Sequence, residues 1–281
     1  MATADKGHSI MTNSFDLARA RGFVLDMDGV LYHGNVAIPG AREFLEDLNA
    51  AAIPWRLLTN NASATPEQYV AKLADMDIRA EPEQIMTSSL ATAAYVKHLA
   101  PNGARVYVVG GDGIQEAIRR QGFEVVTRPP ADFVVVGIDW GVTYDKLKWA
   151  ALCIRGGAQF IGTNADKTFP HSDGIIPGNG AQLAFLQAAT DVAPTIIGKP
   201  QPEIFRSTVW AMGTPIEQTP MIGDRLDTDI EGAAAAGMPT IMVLTGVHTR
   251  DDAAKAAARP TLIVEDIAAL DLAWRAAHAV G

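Results

Sequence analysis

The sequence predicts an α/β protein built on a parallel β-sheet with helices packed on its faces. Short apolar runs alternate with helical patterns from residue 22 to the C-terminal region, which is the order of elements that a parallel sheet requires. Polar clusters follow several of the apolar runs, as expected for ligand-binding loops at the carboxyl ends of parallel strands. The length of 281 residues and the hydrophobic content of 48% permit a full core in one large domain or two smaller ones.

The elements follow in order from these patterns. Residues 22–25 and 55–58 form the first two predicted strands, and residues 41–48 carry apolar side chains at helical spacing. Thr65 followed by Pro66 is typical of a helix start, and Ser88 or Ser89 is expected to cap the next helix. Further strands are predicted at residues 106–109, 133–136, 160–161, 196–197, 221–222, 240–244 and 262–264, and further helices at 114–120, 145–154, 183–189, 204–211 and 229–236.

The composition limits the classes of function. A formal net charge of -9 argues against nucleic-acid binding, and an anionic substrate would need positive charge placed locally. Cys153 is the single cysteine, so an internal disulfide is impossible. The N-terminal segment lacks the apolar stretch of a signal peptide, and no run approaches transmembrane length. We therefore expect a cytoplasmic protein without nucleic-acid or membrane partners, with a loose polar tail before about Phe15.

Four polar clusters follow predicted strands and are expected to converge on one site. They are Asp26 with Asp28, Thr59 with Asn60, Lys199, and Asp224 with Asp229. Several carboxylates around one point repel each other unless a cation neutralises them. Oxygen ligands without cysteine or histidine favour a hard ion, for which Mg²⁺ is the best match. A hard ion beside a lysine and a threonine hydroxyl is suited to holding a phosphoryl group.

Other catalytic motifs are missing from the sequence. It contains no GxSxG nucleophile elbow, no HExxH zinc motif and no GxxxxGK[ST] phosphate loop. The GGDG segment at residues 110–113 lacks the full GxGxxG spacing, so we interpret it as a turn into a helix. The carboxylate clusters are therefore the principal candidates for chemistry.

The segments DMDGV, LLTNN, GKP and GDRLDTDIEGA, at residues 26–30, 57–61, 198–200 and 223–233, resemble the four motifs of the haloacid dehalogenase (HAD) superfamily. The first has the DxDG form of the phosphatase branch. TNN, GKPQPEIF and GDRLDTDIEGA are similar to the subfamily of NagD nucleotide phosphatases, p-nitrophenyl phosphatases, phosphoglycolate phosphatases and pyridoxal phosphatases. The resemblance runs from about residue 23 to residue 246. It implies a Rossmann-like core, an inserted cap domain and Mg²⁺-dependent hydrolysis of phosphoric monoesters.

The resemblance assigns a role to each acidic residue of the clusters. Asp26 would be the nucleophile that forms an aspartyl phosphate, and Asp28 the general acid and then the general base. Asp26 and Asp224 would bind Mg²⁺, together with the backbone carbonyl of Asp28. Asp229 would act on the ion indirectly, for example through a water molecule. Asp227 lies between two of these acids, at a position that varies in the family, and is a typical helix N-terminal acid.

The remaining motif residues are expected to bind phosphate. Thr59 would contribute its hydroxyl and Asn60 its backbone, whereas a role for Asn61 is less defined. Lys199 lies between a glycine and a proline in a loop after a predicted strand, and it would neutralise the charge of the phosphoryl group and the nucleophile.

The distance between the second and third motifs predicts a second domain. Thr59 and Lys199 lie 140 residues apart, whereas one βα step needs only about 30. We assign residues 101–192 to an α/β cap domain, and residues 1–100 with 193–281 to the core. A cap in this position resembles the C2 type of class IIA, and its segment at residues 162–180 resembles the family's cap segment near the active site. Candidate specificity residues in this segment are Asn164, Asp166, His171 and Asn179.

Two alternatives to a phosphatase stay open at this stage. A phosphomutase would use the same two acids and return the phosphoryl group to its substrate, and a regulator could bind a phosphorylated metabolite without turnover. A dehalogenase is disfavoured because that reaction does not require a second acid such as Asp28. The substrate is also open among nucleoside monophosphates, phosphoglycolate, glycerol phosphate, sugar phosphates and pyridoxal phosphate. By resemblance to similar caps, a homodimer is possible.

Overall fold

The computed structural model describes residues 15–171 and 174–278, except for the side chains of residues 169–171. The predicted N-terminal tail therefore lies outside the described residues. The strands are β1 Phe23–Leu25, β2 Tyr32–His33, β3 Val36–Ala37, β4 Trp55–Thr59, β5 Ile85–Thr87, β6 Arg105–Val109, β7 Glu124–Val126, β8 Phe133–Val136, β9 Gln159–Gly162, β10 Thr168–His171, β11 Gly174–Pro177, β12 Thr195–Ile196, β13 Met221–Gly223, β14 Thr240–Val243 and β15 Leu262–Val264. The helices are α1 Ala41–Ala50, α2 Pro66–Ala74, α3 Ser88–Leu99, α4 Asp112–Arg120, α5 Tyr144–Arg155, α6 Asn179–Thr190, α7 Pro202–Met212, α8 Glu231–Ala236, α9 Arg250–Lys255 and α10 Ile267–His278.

The first sheet has six parallel strands in the order β15-β14-β13-β1-β4-β5. Its central strands are buried apolar runs, as expected when helices cover both faces. β1 lies between β13 and β4, so the loops after these three strands open at the same edge of the sheet. This arrangement confirms the predicted parallel α/β class and brings three of the four polar clusters together.

The second sheet has five parallel strands in the order β12-β9-β8-β6-β7. It contains most of the segment that we predict to be a cap. β12 also belongs to it, pairing with β9, although the predicted core resumes at residue 193. At the other end, Ala93 and Val96 of α3 pack in the same apolar cluster as Val106 and Ile118 of this sheet and its helix. The second sheet thus involves residues on both sides of the predicted segment, and the division into two domains stays a prediction.

The residues at which α2 and α3 begin test the helix caps predicted from the sequence. Thr65 caps α2 as predicted, because its hydroxyl accepts a hydrogen bond from Gln68 N at 3.3 Å while Gln68 Oε1 accepts one from Thr65 N at 2.7 Å. The predicted cap at Ser88 or Ser89 is wrong. Thr87 caps α3 instead, since it has the extended backbone of a cap and its hydroxyl accepts from Leu90 N.

The helical segment predicted at residues 229–236 begins before residue 229, and its first turn is of a different helix type. A π-helical turn, Leu226–Ile230, precedes α8, and a glycine at residue 237 ends the helix with a left-handed backbone. The π turn carries Asp229, so the change of helix type lies at one of the acidic clusters. Within the ranges that the structure describes, no helix has both the length and the apolar character needed to cross a membrane.

Candidate active site

Three carboxylates meet at the edge of the first sheet. Asp26 directly follows β1, Asp224 directly follows β13, and Asp229 lies in the π turn after it. One carboxylate oxygen from each lies within 4.8 Å of the others. All three residues are buried, with exposed fractions of 8%, 2% and 0%. Such a cluster needs positive charge nearby to be stable.

Lys199 supplies one positive charge to this cluster. Its Nζ lies 2.9 Å from Asp26 Oδ1 and 2.7 Å from Asp229 Oδ1, and it donates a hydrogen bond to the Leu58 carbonyl at 3.2 Å. Although burial disfavours the charged amine, the two carboxylates raise the pKa of Lys199 above its usual value. Burial raises the pKa of Asp26 to about 8 against the opposing effect of Lys199, and burial together with Asp229 raises the pKa of Asp224 to about 6. One lysine therefore leaves the three-carboxylate cluster short of positive charge.

The coordination around Asp224 fits a hard cation. Asp224 Oδ2 accepts a hydrogen bond from Val247 N at 2.7 Å, whereas Asp224 Oδ1 is buried and has no hydrogen-bond partner in the described part of the chain. Glycines make room for this carboxylate, because a Cβ at Gly246 would lie 2.0 Å from Asp224 Oδ2 and one at Gly29 would lie 2.8 Å from it. An unpartnered buried carboxylate oxygen beside two other acids matches the oxygen donor set that Mg²⁺ requires.

Asp28 lies apart from the three-carboxylate cluster, although it lines the same cavity. Gly29 has a left-handed backbone with φ +82°, which turns the chain sharply after Asp28. Burial raises the pKa of the Asp28 carboxyl, and the nearby positive charge of Lys72 opposes that rise. A carboxyl group with a raised pKa at a cavity wall is suited to carrying a proton to a ligand.

The side chain of Asn60 holds the backbone of Lys199. Asn60 Nδ2 donates to the Lys199 carbonyl at 3.0 Å, and Lys199 N donates to Asn60 Oδ1 at 2.8 Å. The same Nδ2 lies 3.2 Å from Asp166 Oδ2, and the Asn60 carbonyl accepts from Asn164 Nδ2 at 2.7 Å and from Ser88 Oγ at 2.6 Å. The sequence predicted only a backbone role for Asn60, whereas its side chain also fixes the loop that carries Lys199.

Thr59 and Asp166 line the main cavity, which has a volume of about 320 Å³. The Thr59 hydroxyl accepts a hydrogen bond from Asn61 N at 3.1 Å, which shapes the loop after β4. The Asp166 carboxylate faces Asn60, and burial raises its pKa. Among the candidates of residues 162–180 whose side chains the structure describes, Asp166 is thus the one that reaches the cavity with the predicted catalytic acids.

Two of the other candidates in that segment, Asn164 and Asn179, differ from Asp166. Asn164 and Asn179 are buried and line a smaller neighbouring cavity rather than the main one. Their amides donate to backbone carbonyls, Asn164 to residue 60 and Asn179 to residues 136 and 164. These contacts hold loops in place. His171 lies in β10, but its side chain is outside the described residues.

Several cavity residues escaped the sequence analysis. They are Tyr32, His33, Tyr69, Lys72, Thr168, Arg225 and Thr228. Tyr69 and Lys72 are three residues apart on α2, a spacing that places both on one helix face and could have indicated a shared direction. Arg225 directly follows Asp224, and its guanidinium pairs with Asp227 at 2.9 Å.

The chain is similar in sequence and in fold to known proteins. Residues 23–124 match a family model described as haloacid dehalogenase-like hydrolase, and residues 196–270 match one described as HAD-hydrolase-like. The chain is 41% identical over 247 residues to an acid sugar phosphatase of Staphylococcus aureus, covering 88% of this chain and 95% of that protein. A 4-nitrophenylphosphatase of Thermotoga maritima superposes with a TM-score of 0.86 at 32% identity, covering 92% of this chain and 98% of that one. NagD of E. coli K-12 superposes with a TM-score of 0.82 at 35% identity, covering 89% and 97%.

Proposed function

Because this chain belongs to the haloacid dehalogenase-like hydrolase family and is a phosphatase of phosphoric monoesters, we propose that it acts on small phosphorylated metabolites, with Mg²⁺ and an aspartyl phosphate intermediate. The observation that carries this proposal is the contact of Lys199 Nζ with Asp26 Oδ1 at 2.9 Å, inside a cluster of three buried carboxylates. A cavity of about 320 Å³ is suited to a small substrate.

Two acids divide the proposed reaction between them. The Asp26 carboxylate attacks phosphorus, and the bond from phosphorus to the leaving oxygen breaks while Asp28 donates a proton to that oxygen. Asp28, now ionised, takes a proton from the water that attacks the aspartyl phosphate, which releases phosphate and restores Asp26. Lys199 remains charged throughout, and its contact with Asp26 orients the nucleophile and offsets the charge of the phosphoryl oxygens.

The proposed ligands of Mg²⁺ are the side chains of Asp26 and Asp224 and the backbone carbonyl of Asp28. The buried, unpartnered Oδ1 of Asp224 supports this assignment. Both Asp229 oxygens already have partners, Lys199 Nζ and Arg225 N, which favours an indirect role for Asp229. When bound, the ion would neutralise carboxylate charge and polarise the phosphoryl group.

We further propose that the second sheet belongs to a cap domain that covers the cavity and restricts the entry of water. The contact between Asn60, in the loop after β4, and Asp166, in the segment after β9, supports this arrangement. Asp166 then becomes the cap residue most directly placed to influence substrate choice. A cytoplasmic location and a homodimer stay predictions.

Phosphate release from p-nitrophenyl phosphate tests the proposed function. We expect turnover with Mg²⁺, and loss of turnover when a chelator removes the ion, because the carboxylate cluster would then hold uncompensated negative charge. Restoring Mg²⁺ should restore the rate. Full activity in the presence of the chelator would contradict the proposed metal dependence.

Binding of the ion is testable without turnover. We expect Mg²⁺ to raise the melting temperature of the protein by several degrees, because an ion that binds the folded state alone stabilises it, by about 2.7 kcal/mol at one hundred times the Kd. Asp224→Asn should remove most of this shift. Asp227→Asn is the matched control, since the Asp227 carboxylate pairs with Arg225 outside the cluster. An equal shift in both variants would exclude Asp224 as a ligand.

A further inference from the structure

Lys72 is a positively charged residue in the wall of the main cavity. It lies in the last turn of α2, is half-buried, and lines the main cavity together with Asp28. Its Nζ lies 4.0 Å from the centroid of the Tyr32 ring. Across the part of the chain that the structure describes, no carboxylate oxygen comes within the 4.0 Å of an ion pair with this amine.

The other permanent cations in the wall of this cavity already have partners. Lys199 Nζ contacts Asp26 and Asp229, and the Arg225 guanidinium contacts Asp227. The Lys72 amine is partly removed from water and lies over an aromatic ring, and burial lowers its pKa against the opposing effect of Asp28. An anionic ligand beside this amine would compensate for the lost contact with water.

The position of Lys72 indicates which part of the substrate it would contact. Its amine lies over the ring of Tyr32, and Tyr32 forms a β-bridge with Asp28, whose proposed role is to protonate the leaving oxygen. Lys199, by contrast, acts on Asp26, which bonds to phosphorus. The phosphoryl group therefore belongs near Lys199, and Lys72 belongs on the side of the leaving group.

We propose that Lys72 is a specificity-determining residue that binds a second anionic group, a carboxylate, on the leaving group of the substrate. This inference rests on the proposed function, because it takes the direction of the leaving group from the role of Asp28. The Lys72 amine lies over the Tyr32 ring at the wall of the cavity, where a carboxylate can receive a charge-assisted hydrogen bond from it. A neutral leaving group leaves the amine unpaired, and a cationic one is repelled.

Three phosphomonoesters of equal length test the inference. They are 2-phosphoglycolate, 2-hydroxyethyl phosphate and O-phosphoethanolamine, whose leaving groups are anionic, neutral and cationic, assayed by phosphate release with Mg²⁺. We expect kcat/KM of the wild type to fall in that order. In Lys72→Met the ratio of kcat/KM for the anionic to the neutral substrate should fall about tenfold to a hundredfold, mainly through KM, as expected for one hydrogen bond between charged groups.

Further variants separate this role from a structural one. Lys72→Arg keeps the charge and should retain the order of substrates, whereas Lys72→Glu should favour the cationic substrate. Lys97→Met is the matched control, because Lys97 is also a half-buried lysine over an aromatic ring, 5.6 Å from the Phe123 centroid, but does not line the cavity. It should leave the ratios of all three substrates unchanged.

The outcomes distinguish this inference from the function on which it rests. An unchanged ratio in Lys72→Met overturns the inference, including the case in which all three rates fall equally because the charge acts only through Asp28. Hydrolysis of p-nitrophenyl phosphate without hydrolysis of any of the three esters also overturns it. Failure to hydrolyse all four compounds with Mg²⁺ contradicts the proposed function itself.

Discussion

Asp26→Asn is expected to lower the rate of phosphate release by at least about 10⁴-fold, because the variant lacks the nucleophile of the proposed reaction. The substitution preserves the size of the side chain, and Asp229 keeps the charge of Lys199 paired at 2.7 Å. The protein should therefore fold normally and lose turnover rather than substrate binding. Single-turnover release of phosphate, measured beside a binding assay, checks both parts of this expectation.

A control variant distinguishes the loss of the nucleophile in Asp26→Asn from general damage to the site. Asp227→Asn changes an acid in the same π turn, two residues from Asp229 but outside the carboxylate cluster, and it should stay within a few-fold of the wild-type rate. Wild-type activity in Asp26→Asn would contradict the aspartyl phosphate intermediate. Equal losses in both variants would indicate general damage to the site.

The stability of the wild type relative to Asp26→Asn should also depend on pH when a chelator is present. Burial raises the pKa of Asp26 in the folded protein to about 8, above its ordinary value of 3.8. The stability contributed by protonated Asp26 is therefore complete below about pH 4 and is lost as the pH rises towards about 8. The wild type should lose stability relative to Asp26→Asn over this range, which melting curves at several pH values would measure.

Lys199→Met is expected to have the second largest effect, on stability as well as rate. It would leave Asp26 and Asp229 buried without their shared cation, which typically costs about 3–5 kcal/mol when one partner of a buried ion pair is removed. The loss of positive charge at the nucleophile should also lower the rate by about 10²–10³-fold, as for other groups that stabilise charge in a transition state. Denaturant unfolding and phosphate release measure the two effects separately.

A double variant separates the two effects of Lys199. Adding Asp229→Asn to Lys199→Met removes one of the two unpaired charges, so part of the lost stability should return. The rate should not return, because Asp26 still lacks the amine. Recovery of both stability and rate would mean that Lys199 has only a structural role.

The central elements of the fold follow from the sequence because each has one dominant pattern. β1 and β13 are uninterrupted buried runs, and the acids after them stand out because a carboxylate at the end of such a run is unusual. The convergence of Asp26 and Asp224 could be predicted from the topology of a parallel sheet alone, whereas Lys199 follows a strand of the second sheet. The helix start at Thr65 could be predicted because a capping box is a local signal.

The features that the sequence did not predict depend on backbone conformation and on contacts between distant parts of the chain. The cap of α3 falls at Thr87 rather than Ser88, since a cap is chosen by backbone conformation, which several neighbouring polar residues fit equally well in sequence. Lys72 resembles an ordinary lysine in the last turn of a helix, and only the packing of α2 against Tyr32 brings it to the cavity. The two hydrogen bonds between the Asn60 side chain and the Lys199 backbone join residues 139 positions apart, so no local sequence pattern could indicate them.

The short connection between β12 and Lys199 restricts how parts of this fold can be recombined. Gly198 N donates to the Thr163 carbonyl at 2.8 Å, and a Cβ on Gly198 would lie 2.6 Å from Asn60 Oδ1, so this glycine lies close to the first residue after a strand of each sheet. A chimera that took its second sheet from a relative would have to cross over after Ile196, keep glycine at position 198, and inherit a partner for Asn60. Exchange of substrate preference between relatives by transfer of whole segments is therefore limited to donors that match this junction.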